Sequence, residues 1–114
     1  MKQGEIWSVN LDPSQGAEIR KTRPAIIVSD DAVGRLPLKI IVPVTDWKNY
    51  YAQAPWMVRL APDTKNKLSK ASTADCFQVR SISETRFMKR IGVVDSLTLE
   101  RIQDGLAAVL SLSR

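Results

Sequence analysis

Apolar positions along this chain change their period once. Up to Val94 they come as short runs or alternations, and beyond it they recur at spacings of three and four. Gly4–Asn10 sets Ile6 and Val9, with Leu11 just beyond, around Trp7, a spacing that predicts a strand. Pro24–Ser29 and Leu38–Val44 are β-branched runs that predict buried strands, and a proline is tolerated where a strand starts. Trp56–Leu60, Thr73–Val79 and Arg90–Val94 read as further strands. Between them, the turn-rich Asp12–Gly16 opens a loop that reaches Arg23. Asp30–Leu36 and Ser83–Met88 have room for one helical turn each. Asp46–Ala54 is a polar loop with aromatics, and Asp63–Lys70 is rich in lysine. At the end, Ser96–Leu112 puts Leu99, Ile102, Leu106, Val109 and Leu110 on one helical face, and Asp95 is a fitting N-cap. Gly105 costs that helix about 1 kcal/mol relative to alanine, so packing must support it. Short strands followed by one amphipathic helix predict a mainly β fold, a small, strongly bent sheet or barrel with the helix against it. No crossover helices separate the strands, which argues against a parallel sheet.

Composition narrows this picture. The 114 residues suit a single domain, 1–114, and 44% apolar content supplies a core. No apolar run approaches the roughly 18 residues of a membrane span, and the start lacks the apolar stretch of a signal peptide, so a cytoplasmic location without a membrane partner is expected. The lone cysteine, Cys76, excludes an internal disulfide and reads as a small buried residue. The formal charge of +5 favours an acidic partner, nucleic acid or acidic protein. Histidine is absent. That removes histidine metal sites and any acid–base pair built on imidazole.

The candidate chemistry lies in three places. Arg23 follows a charged loop (Glu18, Arg20, Lys21) and precedes a rigid strand. Its planar fork of donors could grip a phosphate with two hydrogen bonds, or it could pair with Glu18 and merely cap the barrel. Charge pattern alone favours the plainer role. Thr45 ends "IIVPVT", where its hydroxyl could meet a phosphate or bond its own backbone. Glu18 is either a general base or a solvated charge. Asp46-Trp47-Lys48-Asn49-Tyr50-Tyr51 interleaves aromatics with a cation, a combination suited to unpaired bases and equally to a self-anchored loop or a subunit contact. Between Arg59 and Arg90 eight cations, Lys70 and Arg80 among them, face three acids, which could be a solvated face or a polyanion footprint.

These residues also form a combination of motifs. "GEIWSVNLDPSQGAEIRKTRPAIIVSDD", then "IIVPVT", then "FQVRSI" resembles the MazF/PemK family of toxin endoribonucleases from type II toxin–antitoxin pairs, over most of the chain. The resemblance implies an SH3-like barrel with a C-terminal helix, a homodimer, and a cognate acidic antitoxin. It implies cleavage of single-stranded RNA at short sequences with no metal or other cofactor. There the ribose 2′-hydroxyl attacks the adjacent phosphorus and leaves a 2′,3′-cyclic phosphate and a 5′-hydroxyl. Carried over by motif, Arg23 matches the arginine at the scissile phosphate, Thr45 the threonine paired with it, and Glu18 a glutamate proposed as base in some members. Gln78 and Arg80 match a segment near the RNA path. Arg20, Lys21, Trp47, Lys48 and Asp75 complete the expected RNA-binding set.

The chain departs from the family pattern twice. Some members carry a first-loop histidine at the place of Ala17 or of Thr22. Others use a late arginine and aspartate; here Thr73 stands at the arginine's place, and "STADCFQVR" is two residues longer, which leaves Asp75 open as the aspartate. The base and acid therefore stay open. The alternatives to a nuclease are a gyrase-poison-like module acting through protein contact, and a degenerate member that only represses transcription with its antitoxin.

Overall fold

The structure, a computed structural model, describes residues 1–113. In chain order it contains β1 (Glu5–Asn10), β2 (Thr22–Ile27), β3 (Leu38–Asp46), β4 (Met57–Leu60), β5 (Ser72–Asp75), β6 (Arg80–Ser83), β7 (Phe87–Val93) and α1 (Ser96–Leu110). The strands pair antiparallel in the order β4-β5-β3-β2-β1-β7, with β6 also on β3. Strand β3 is the hub. Leu38–Ile41 pair with β6, Ile41–Pro43 with β2, and Val44–Asp46 with β5. One strand serving three partners curls the sheet into the expected barrel-like form.

Side-chain alternation sorts the core onto the sheet's two faces. Ile6, Ile26, Val42, Val44, Val58, Leu60 and Ala74 form the larger cluster with Ile102 of α1. Val9, Ala25, Ile27 and Ile41 point the other way and join Leu11 and Ile82 in a second cluster, against which Ile19 of the first loop packs. Asp95 caps α1 by accepting the Thr98 N–H at 2.8 Å. Gly105 has a packing reason: a Cβ there would lie 2.8 Å from the buried Cys76 Sγ.

Several boundaries differ from the sequence pattern. Strand β2 begins at Thr22, so Arg23 lies inside the strand rather than at the end of the loop. Thr73–Val79 is not one strand. Strand β5 stops at Asp75, whose carboxylate accepts the Phe77 N–H at 3.1 Å and caps a 3₁₀ turn, Cys76–Gln78. Strand β6 then follows where the pattern offered none. The expected helical turns occur at Asp31–Val33 and Glu84–Arg86. Strand β7 starts at Phe87, earlier than expected, and α1 ends at Leu110, with Ser111 left-handed at φ 57°.

Candidate active site

The last β2–β3 pair is Ala25 with Pro43; carried two residues further, that register points Arg23 toward Thr45, and both line one cavity. Thr45 in turn pairs with Thr73, and Thr73 with Arg59. By strand alternation these side chains share the face of the smaller core, just past its edge. Arg23 and Thr45 line one cavity of about 300 Å³, together with Asp46, Ser69, Lys70 and Ser72.

The Arg23 guanidinium is exposed and has no carboxylate partner among the described residues; its one polar contact is the Thr22 carbonyl at 3.4 Å. Its backbone, by contrast, is held in the ladder opposite Val9 of β1. A fixed cation with unspent donors can receive a phosphate without first breaking an ion pair. Thr45 is half-buried, and its hydroxyl makes no protein hydrogen bond among the described residues. At the rim, Lys70 pairs with Asp46 at 3.0 Å. The spacing of Lys70 from Arg23 in sequence gives no hint that they share a cavity; the β3–β5 pairing makes them neighbours.

Glu18 lies elsewhere, in a separate cavity of about 510 Å³ with Ile19, Pro43, Phe77, Gln78 and Arg80. The two cavities have no lining residue in common; Pro43 of one and Thr45 of the other stand two residues apart on β3. The Glu18 carboxylate accepts the Gln15 N–H at 2.6 Å and is exposed. Arg80 donates to the Leu11 carbonyl at 3.3 Å, which ties the start of the first loop. Arg86 does the same at the carbonyls of Asn10 and Asp12, 3.1 and 2.5 Å away. The loop ends at Lys21, left-handed at φ 68°, whose N–H donates to Asp12 Oδ1 at 3.1 Å. Arg20 reaches back to the Gly16 carbonyl at 3.3 Å and is exposed.

Asp75 is buried, and loss of hydration pushes its carboxyl above the usual value, against the hydrogen bonds from Phe77 and Gln78. It is turned inward onto its own turn. Burial first, and Asp75 second, push the Cys76 thiol up to about 12, which leaves it without a thiolate at neutral pH. The Arg59 guanidinium covers the Trp47 ring at 5.3 Å from its centroid, and Lys48 beside it is exposed. Phe77, in contrast, is 67% exposed at the mouth of the Glu18 cavity, with its edge toward Trp56. Sequence reading missed this aromatic platform because it took residue 77 for part of a continuous strand; the Asp75-capped turn rotates it outward. No group of three or more His, Cys, Asp or Glu side chains among the described residues is placed to hold a metal ion.

Comparison with known proteins agrees with the motifs. The family described as PemK-like, MazF-like toxin of type II toxin–antitoxin system matches residues 2–110. Endoribonuclease MazF9 of Mycobacterium tuberculosis is 34% identical over 118 residues, covering 98% of this chain and 98% of its own. Endoribonuclease PemK of Escherichia coli is 33% identical over 113 residues, covering 97% of this chain and 83% of its own. In three dimensions, the crystal structure of MazF from Deinococcus radiodurans superposes with a TM-score of 0.80 at 23% identity, covering 98% of this chain and 97% of that one.

Proposed function

The chain belongs to the PemK-like, MazF-like toxin family of type II toxin–antitoxin systems, and from that premise we propose that it is an endoribonuclease whose reaction centre is the Arg23–Thr45 cavity. The observation that carries the proposal is the unpaired guanidinium of Arg23 lining one cavity with the free hydroxyl of Thr45. The substrate is single-stranded RNA. The 2′-oxygen bonds to phosphorus, the bond from phosphorus to the 5′-oxygen breaks, and the products are a 2′,3′-cyclic phosphate and a 5′-hydroxyl. Extra negative charge develops on the non-bridging oxygens as the 2′-oxygen attacks. Arg23 and Thr45 aim donors at that charge and stabilise it more than they stabilise the ground state.

Glu18, carried on the first loop, takes the 2′-hydroxyl proton. With no imidazole in the chain, the 5′-oxygen gains its proton from water or from an N–H cation at the cavity wall, Arg23 or Lys70. The reaction proceeds without a metal or other cofactor. Trp47, Phe77 and the surrounding lysines and arginines guide unpaired bases and backbone past the site. An acidic antitoxin covers the same basic surface, and the protein acts in the cytoplasm; no helix among the described residues is long and apolar enough to cross a membrane.

The test incubates purified protein with single-stranded RNA in EDTA. Wild type should release cyclic-phosphate ends, and Arg23→Ala should be slower by about 10²–10³. Equal cleavage by both would remove Arg23 from the mechanism. Inactivity of the wild type would turn the reading to a toxin that acts by protein contact.

A further inference from the structure

Gln78 carries a sharper role than its place in "FQVR" suggests. Its side-chain amide grips the backbone on both sides of Glu18. Oε1 accepts the Ile19 N–H at 2.6 Å, and Nε2 donates to the Ala17 carbonyl at 3.2 Å. The second Nε2 hydrogen goes to Asp75 Oδ2 at 3.3 Å, and the other Asp75 oxygen is fixed by the Phe77 N–H. Only one orientation of the amide satisfies all three partners, because a flip would set oxygen against two oxygens and N–H against N–H. Both donors are thus spent within the protein, which leaves little with which to read a base edge.

We infer that Gln78 is a positioning residue, a latch that fixes Glu18 by holding Ala17 and Ile19, with Asp75 setting the orientation of its amide. The inference rests on the proposed base role of Glu18 only for its kinetic consequence; the latch itself is a structural statement. Arg80 and Arg86 fasten the start of the loop at residues 10–12, far in sequence from Glu18. Inside the loop, the Gln15 N–H bond to Glu18 travels with it, and the Ser14 hydroxyl spans the Leu11 and Ile19 carbonyls at 2.9 and 3.4 Å, a longer contact at Ile19 than the one Gln78 makes. Among the described residues, Gln78 is the side chain from outside the loop that bonds the backbone on either side of Glu18.

Amide hydrogen exchange read by NMR on the full chain tests the latch directly. In wild type the Ile19 N–H should be protected. In Gln78→Ala it should exchange at least about tenfold faster while α1 amides keep their protection, as expected for loss of one hydrogen bond to a loop. Gln78→Glu, which keeps an acceptor but loses both donors and faces Asp75 with like charge, should fall between the two. In RNA cleavage, Gln78→Ala should lower kcat about as far as Glu18→Gln, with KM little changed, and the double variant should be no worse than either single. Unchanged Ile19 exchange in both Gln78 variants would overturn the latch. So would a raised KM or altered 5′-end sequences with kcat intact, since these mark an RNA contact. Wild-type cleavage by Glu18→Gln would instead defeat the base assignment and leave the exchange result to judge the latch.

Discussion

Arg23 of β2 and Glu5 of β1 are both ionised side chains on neighbouring strands, yet their surroundings suit them to opposite tasks. Arg23 keeps its charge unspent. Glu5 spends all of its own: it accepts the Lys2 N–H at 3.1 Å and the Trp7 indole N–H at 2.9 Å, and it meets Arg90 at 3.3 Å. Burial alone would raise the Glu5 carboxyl, but the Trp7 and Lys2 hydrogen bonds, the N-terminal charge and Arg90 together hold it below its ordinary value of 4.5. A carboxyl lowered in the fold adds stability above its unfolded value, and that stability is lost as pH falls through the folded one. Asp75, raised by burial, works the other way: its contribution is present in acid and fades as pH rises. The difference between wild type and a Glu5 variant therefore isolates Glu5. Glu5→Gln should cost about 1 kcal/mol at neutral pH, shrinking toward zero in acid, as read by urea unfolding at a series of pH values. Curves that stay parallel down to strong acid would show that the charge on Glu5 does not matter.

Elements show where periodicity suffices as a guide and where it fails. The α1 pattern was legible because its spacing of three to four persists over fifteen residues, and Asp95 caps it as the sequence suggests. The stretch after Thr73 was not, since a single hydrogen bond from the Phe77 N–H to the Asp75 carboxylate ends one strand and lets another begin. Such a bond leaves no trace in hydrophobic period. Gly105 shows both halves of the lesson. Helix propensity marks it as a weak point by about 1 kcal/mol, and only the packing explains why it is small. Gly105→Ala would drive a methyl to 2.8 Å from Cys76 Sγ, so overpacking of about 1–3 kcal/mol should outweigh the propensity gain and lower Tm. In a Cys76→Ala background the sulfur is gone, and the same change should become neutral or stabilising. A fall in Tm of equal size in both backgrounds would refute the steric account.

At the scale of the whole molecule, apolar surface remains uncovered. Ile40 is 44% exposed and Leu110 55%, and with Leu112 they line a groove of about 470 Å³ between β3 and the end of α1. Met88 is exposed as well, whereas Phe87 packs edge-on against Trp7 inside the chain. The homodimer that the family resemblance implies is therefore expected to bury the α1–β3 groove. Light scattering at micromolar concentration should give twice the 12.7 kDa chain mass, and Ile40→Asp should shift it to one. A monomer mass for the wild type would remove the dimer. The mainly antiparallel β architecture, the terminal helix and the residue types at the site were already written in the order of residues, because hydrophobic period and motif spacing are properties of neighbours along the chain. It took the folded arrangement to put Arg23 inside a strand, to gather it with Thr45 and Lys70 around one cavity, and to bond Gln78 to the backbone on either side of Glu18. Those relations depend on strand register and on side-chain hydrogen bonds between residues up to about sixty positions apart, and linear spacing carries no record of either.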